Sequence, residues 1–146
     1  MTSTANEGGV KKGGVSVNIR RDHYERVFKI VAEINFRCGL IAGRGFQQSS
    51  LFQFLTENFI TSLMRLSESD LTQQIQERRA TGSTKTTVYV NHHTASDLDK
   101  AASALNCLFS SAAGAITRVD VLELLLTGFL CDARKQLLEK HAIHNV

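Results

Sequence analysis

The sequence predicts a mainly α-helical fold that carries one two-stranded antiparallel ribbon and is built as a tandem pseudo-dimer. Three observations predict it. Residues 15–20 alternate, with Val15, Val17 and Ile19 on one side and Ser16, Asn18 and Arg20 on the other, the period-2 mark of a half-buried strand. Residues 87–91 alternate again, Val88 and Val90 against Thr87, Tyr89 and Asn91. A shift of 71 positions brings the two stretches into register: Val17 falls on Val88, Ile19 on Val90, Val27 on Leu98, Val31 on Ala102, Ile34 on Leu105 and Asn35 on Asn106. That is a repeat of apolar pattern rather than of identity.

The elements follow in order. Residues 1–14, rich in Gly, Ser and Thr and carrying Lys11 and Lys12, are expected to be a mobile arm. After the first strand, Asp22 with Glu25 resembles a capping box opening a helix. Its apolar face is Tyr24, Val27, Phe28, Val31 and Ile34. A Gly-containing loop leads to a second helix with Leu51, Phe52, Phe54, Leu55, Phe59, Ile60, Leu63 and Met64. It is apolar around most of its circumference, so it should be central. Unit one thus spans 15–66. Residues 67–84 are polar, end in a Gly turn, and read as a linker with one extra helical turn or two near 71–78. Unit two spans 85–146. Thr94 with Asp97 opens its first helix, whose stripe is Leu98, Ala101, Ala102, Leu105 and Leu108. Thr117 with Asp120 opens the second, which holds Val119, Val121, Leu122, Leu124, Leu125, Leu126, Phe129 and Leu130. A lone strand is unstable in water, and two alone are marginal. Pairing the strands antiparallel over four helices gives both a shared core.

Composition narrows the function classes. At 146 residues and 42% apolar, the chain suits one domain with a real core. The net charge of +3 leans towards a polyanionic partner, although neither half is strongly basic: residues 1–75 hold nine Lys and Arg against seven Asp and Glu, and residues 76–146 eight against seven. No apolar run approaches the ~18 residues of a membrane span, and the opening "MTSTANEGG" lacks the apolar region of a secretory signal. A cytoplasmic protein is expected. Cys38, Cys107 and Cys131 show no metal spacing and read as buried free thiols. His92, His93, His141 and His144 lack accompanying Cys or carboxylate clusters, so no metal site is expected. Asp22 and Glu25, or Asp97 and Asp99, are explained by helix starts rather than by acid–base chemistry. "GLIAGRG" lacks the Lys and the preceding strand of a phosphate loop. No cofactor and no catalytic residue are read.

The strand-helix-helix pattern with a polar outer strand face resembles the ribbon-helix-helix superfamily of DNA-binding proteins, the Arc and MetJ type. The likeness is carried by "VNIR" at 17–20 and "KIVAEIN" at 29–35, and the pattern covers 15–66 and 86–138. Members usually dimerise to make the ribbon. Two units in one chain are similar to the TraY type of relaxosome protein. The superfamily joins its helices by a tight Gly-x-Ser turn, whereas this chain has about ten loop residues there in unit one. The resemblance implies a non-enzymatic accessory factor in plasmid or mobile-element DNA transfer, with double-stranded DNA and a relaxase as partners. A transcriptional repressor shares that binding mode. An antitoxin-like adaptor without DNA readout is the third reading.

A two-stranded ribbon fits the major groove of B-DNA. Its outer face presents Ser16, Asn18, Arg20, Thr87, Tyr89 and Asn91 as candidate base contacts. Arg pairs with guanine and Asn with adenine through two bonds each. On an exposed strand such residues also serve as plain solvated polars, and Tyr89 equally suits cross-strand packing. Candidate backbone contacts are Lys11, Lys12, Arg21 and Lys85, with Ser49, Ser50, Thr117 and Arg118 at second-helix N-termini. The two strands differ, so the target should be asymmetric. A monomer is expected, with cooperative binding on DNA open to it.

Overall fold

The first alternating stretch forms strand β1 (Gly14–Arg20), which passes without a loop residue into helix α1 (Arg21–Arg37). The computed structural model describes residues 14–37, 39, 45–80, 82, 84–109 and 115–144, with 141–144 as backbone only. The chain continues through α2 (Gln48–Met64), α3 (Glu68–Ala80), β2 (Lys85–Asn91), α4 (His92–Leu108) and α5 (Arg118–His144). Among the described residues the fold is therefore mainly helical with a two-stranded antiparallel sheet.

The register of the ribbon follows from its alternation. Val17 faces Val88, with Val15 opposite Val90 and Ile19 opposite Thr86 on the same side. Val17, Ile19, Val88 and Val90 are buried. Each contributes on the order of 1.5–3 kcal/mol by leaving water, so a one-residue slip that turned them outward is strongly disfavoured. Beneath the ribbon lie α2 and α5. Leu51, Phe52, Leu55 and Leu63 of α2 have no exposed surface, and residues 121–126 of α5 are all buried. Phe59 and Phe129 stack between the two helices, with centroids 5.4 Å apart at 22°. The flanking helices add Val27, Ile30 and Ile34 from α1 and Leu98, Ala101, Ala102 and Leu105 from α4.

Both bounds of β2 and both bounds of α4 lie 71 positions after those of β1 and α1, and α5 begins 70 after α2. Side chains repeat as well. Asn35 donates from Nδ2 to the Phe46 carbonyl at 2.9 Å and accepts the Phe46 N–H on Oδ1 at 2.8 Å. Asn106 grips Ile116 the same way, at 2.8 and 2.8 Å. Each clamp fixes the backbone just ahead of the next helix.

Several expectations need correction. The one or two helical turns expected near 71–78 are part of a longer helix, α3, of 13 residues. Ser67 Oγ accepts the Asp70 N–H at 3.1 Å. Glu68 and Asp70 open the helix and Arg78 and Arg79 close it, the charge order its dipole favours. Leu71 and Ile75 bury one face. The capping boxes of the first helices also shift. Helix α1 starts at Arg21, and the Asp22 carboxylate accepts the adjacent His23 N–H. Helix α4 is capped by Asn91, not Thr94. Phe28 and Leu108, read as core, are 55% and 68% exposed, while Ile30 takes the inward place in α1. Cys107 and Cys131 are free but exposed rather than buried, and Cys38 lies outside the described residues.

Candidate nucleic-acid interface

Alternation puts the other half of each strand on the open side of the ribbon. Ser16 stands opposite Tyr89, Asn18 opposite Thr87, and Arg20 opposite Lys85. These six side chains make three facing pairs, and none is a carboxylate. All are exposed except Arg20, whose side chain keeps 24% of its surface. Lys85, expected beside the ribbon, is part of its face. The signal was present, because Lys85 precedes Thr87 by two in the same alternation.

The pairs differ in chemistry. The Thr87 hydroxyl donates to Asn18 Oδ1 across the ribbon at 2.7 Å. No side-chain hydrogen bond links Ser16 and Tyr89, and the Tyr89 ring is 49% exposed. Arg20 forms a two-bond pair with Asp22, Nε to Oδ1 at 3.1 Å and Nη2 to Oδ2 at 2.8 Å. Burial acts to raise the Asp22 pKa, but the Arg20 hydrogen bond and charge, with His23, bring it below the ordinary carboxylate value. Arg21, 61% exposed, lies 3.7 Å from Glu25, and its N–H is tied to the Thr84 carbonyl at 2.9 Å. Arg20, Arg21 and Lys85 thus share the end of the ribbon where β1 becomes α1.

Asn91, expected to read bases, does not face outward as a free amide. Its Oδ1 accepts the Thr94 N–H at 2.8 Å, and its Nδ2 donates to Gln53 Oε1 at 2.8 Å. Both ends of the amide are engaged, Oδ1 in the cap that Asn favours at a helix start and Nδ2 by Gln53. Thr117 and Arg118 are engaged too. The Thr117 N–H and hydroxyl reach Asp120 Oδ2 at 2.8 and 3.1 Å, Arg78 and Arg79 pair with the same carboxylate, and Arg118 grips Asp99 at 2.5 and 3.0 Å. The α5 N-terminus is therefore closed by its own acid. The α2 N-terminus has neither a side-chain cap nor an acidic residue in its first turn, and Ser49 and Ser50 are half-buried there. Lys11 and Lys12 lie outside the described residues.

Comparison of the chain with protein-family models, with curated proteins and with solved structures returns no match. The site therefore rests on its own geometry.

One cluster that the sequence reading passed over supports the ribbon from beneath. Glu123 sits inside the apolar run of α5 with no exposed surface. Its Oε1 is 2.5 Å from His23 Nδ1, and its Oε2 accepts the Arg20 N–H at 2.9 Å. Thr127, one turn on, lies 3.4 Å from His23 Nε2. Burial pushes the Glu123 pKa up, but hydrogen bonds from His23 and the Arg20 N–H, with the charges of His23 and Arg78, bring it below the usual range. A lone acid within "VLELLL" was the available signal. Gln53 holds Asn91 at the other end of the ribbon as Glu123 holds Arg20, 70 positions apart on the second helices.

Among the described residues no group of three or more His, Cys, Asp or Glu side chains is placed to hold a metal ion, and no helix is long and apolar enough to cross a membrane.

Proposed function

We propose that this chain is a single-chain pseudo-dimer of ribbon-helix-helix type that binds double-stranded DNA by laying its ribbon into the major groove. The observation that carries the reading is the outer ribbon face. It has three facing pairs of hydrogen-bonding side chains, no carboxylate among them, and a buried helical backing. A ribbon of this width fits that groove, and alternating side chains reach base edges. The shared bounds of the two halves and the matched Asn35 and Asn106 clamps support the pseudo-dimer. Ser16, Asn18, Thr87 and Tyr89 are the base contacts of this reading, with Arg20 at one end of the face and Lys85 opposite it serving the phosphates. Arg21 and the open α2 turn at Ser49 and Ser50 serve the phosphates, as do Lys11 and Lys12. Asn91 and Thr117 are left out, being engaged as caps. The resemblance to TraY-type proteins extends the proposal to a cytoplasmic accessory role in DNA transfer, recruiting a relaxase. A repressor would use the same face.

The test is selection of bound duplexes from a random pool at two salt concentrations. An asymmetric enriched motif is expected, with affinity falling steeply as salt rises. Recovery of no motif at either salt would remove DNA reading.

A second reading, a protein-interaction adaptor, draws on one observation. Phe28 and Phe36, 55% and 88% exposed, stand two turns apart on α1. The matching positions of α4 are Asp99 and Cys107, so only one half offers that aromatic face. Loss of partner capture on Phe28→Ser, with DNA selection unchanged, would assign that face to a protein.

A further inference from the structure

We propose that Thr87 is a positioning residue that makes Asn18 a dedicated hydrogen-bond donor, so that this facing pair selects a G·C base pair. The inference rests on the major-groove reading above and adds to it the identity of the base pair read.

Asn18 and Thr87 are direct partners in the antiparallel register, one step from the Val17–Val88 pair through which the local twofold relation of the strands runs. Side chains of opposed partners lie close enough to bond across a ribbon. Here the Thr87 hydroxyl donates to Asn18 Oδ1 at 2.7 Å, and both residues are exposed. A free Asn amide reads adenine by turning both Oδ1 and Nδ2 to the base edge, accepting from N6 and donating to N7. With Oδ1 drawn across the ribbon to Thr87, that paired geometry is lost, and among the described residues no acceptor engages Nδ2. Guanine shows two acceptors in the major groove, N7 and O6, and suits such a donor. The Thr87 oxygen has given its hydrogen to Asn18 and keeps acceptor lone pairs. The cytosine amine beside guanine O6 is a donor. Two opposed side chains thus match the two bases of one pair. The twofold-related position holds Ser16 and Tyr89, whose side chains make no hydrogen bond to each other, so the preference belongs to one side of the ribbon only.

The experiment selects duplexes with the full chain, with Thr87→Val, with Thr87→Ser and with Asn18→Asp. It then measures affinity for the best duplex and for the same duplex with the chosen G·C changed to A·T. Thr87→Val keeps the branched shape a strand prefers and removes the hydroxyl. The unaltered chain should prefer G·C at one position by about tenfold or more. In Thr87→Val that preference should shrink to about threefold or less, with A·T admitted, while preference elsewhere in the motif persists. Thr87→Ser should restore it. Asn18→Asp replaces the donor by an acceptor, so the position should turn to C·G. Thermal melting reports folding for each variant, and Asn18→Asp decides the matter on its own if Thr87→Val does not fold. A motif whose G·C positions are untouched by Thr87→Val and by Asn18→Asp would overturn this pairing and leave DNA reading intact. A chain that selects no motif overturns the major-groove reading itself, and this proposal with it.

Discussion

Glu123 is the residue whose chemistry most constrains the molecule. It is a carboxylate without exposed surface, held by His23 and by the Arg20 N–H. Its folded pKa lies below the ordinary 4.5, so between those two values the unfolded chain binds more protons than the folded one. The stability it contributes is fully present above 4.5 and is lost as pH falls through the folded value. Glu123→Ala leaves His23 and the Arg20 N–H without their partner and should cost about 3–5 kcal/mol. Glu123→Gln should flatten the acid limb of stability below 4.5, read as the urea midpoint across an acid pH series. An acid limb as steep as that of the unaltered chain would argue against the assignment. Asn91 gives the complementary residue-scale prediction. As a cap, Asn91→Ala should lose about 1 kcal/mol of stability and leave base preference untouched. A changed DNA motif in a variant of unchanged melting temperature would return Asn91 to the reading face.

At the scale of elements, α3 is the one whose reading changed most. Only Leu71 and Ile75 of its 13 residues are buried, which is too few for a periodic apolar stripe to stand out. What makes it a helix is partly in the sequence, in Ser67 and the order of its charges. The rest is tertiary, in the pairing of Arg78 and Arg79 with Asp120 at the start of α5. If α3 is part of the core, Leu71→Ala and Ile75→Ala should each cost about 2–4 kcal/mol, measured by denaturant unfolding. Costs under about 0.5 kcal/mol would make it the expected linker. Strands were legible because a two-residue period shows in six residues. The helix starts lay two residues earlier than expected at α1 and three earlier at α4. The Arg20 N–H is satisfied by Glu123, 103 positions on, and no local pattern announces that. The same holds for the face of the site. Alternation assigned Ser16, Asn18, Thr87 and Tyr89 to the outside, but it could not show Asn91 turning back to its own helix. The 71-residue match of Asn35 with Asn106 was visible, yet a polar residue near a helix end looks alike whether solvated or clamping backbone.

For the whole molecule, both strands and the helices beneath them come from one chain, so folding should not depend on concentration. Light scattering at low concentration should report a particle near 16.1 kDa. Twice that mass at all concentrations would mean that the ribbon forms between chains. On DNA, the end with Arg20, Arg21 and Lys85 should dominate the ionic contacts. Arg21→Ala and Lys85→Ala should each weaken binding evenly across sequences and reduce the salt slope by about 1. A change of motif with the slope intact would move these residues from phosphate to base.

The Val17–Val88 pairing also sets a timetable for synthesis. At ordinary ribosomal rates of about 5–20 residues per second, the second strand is made roughly 4–14 s after the first. Until then β1 has no partner, and its backbone edge is open to any strand nearby. Early helices can form behind it, but the ribbon is a late event, gated by emergence of residue 91 from the exit tunnel. A stalled nascent chain ending before β2 should therefore be cut readily by protease near Val17, and one extended beyond α5 should resist. The same delay makes neighbouring nascent chains on one message the nearest wrong partners, each offering the strand the other lacks.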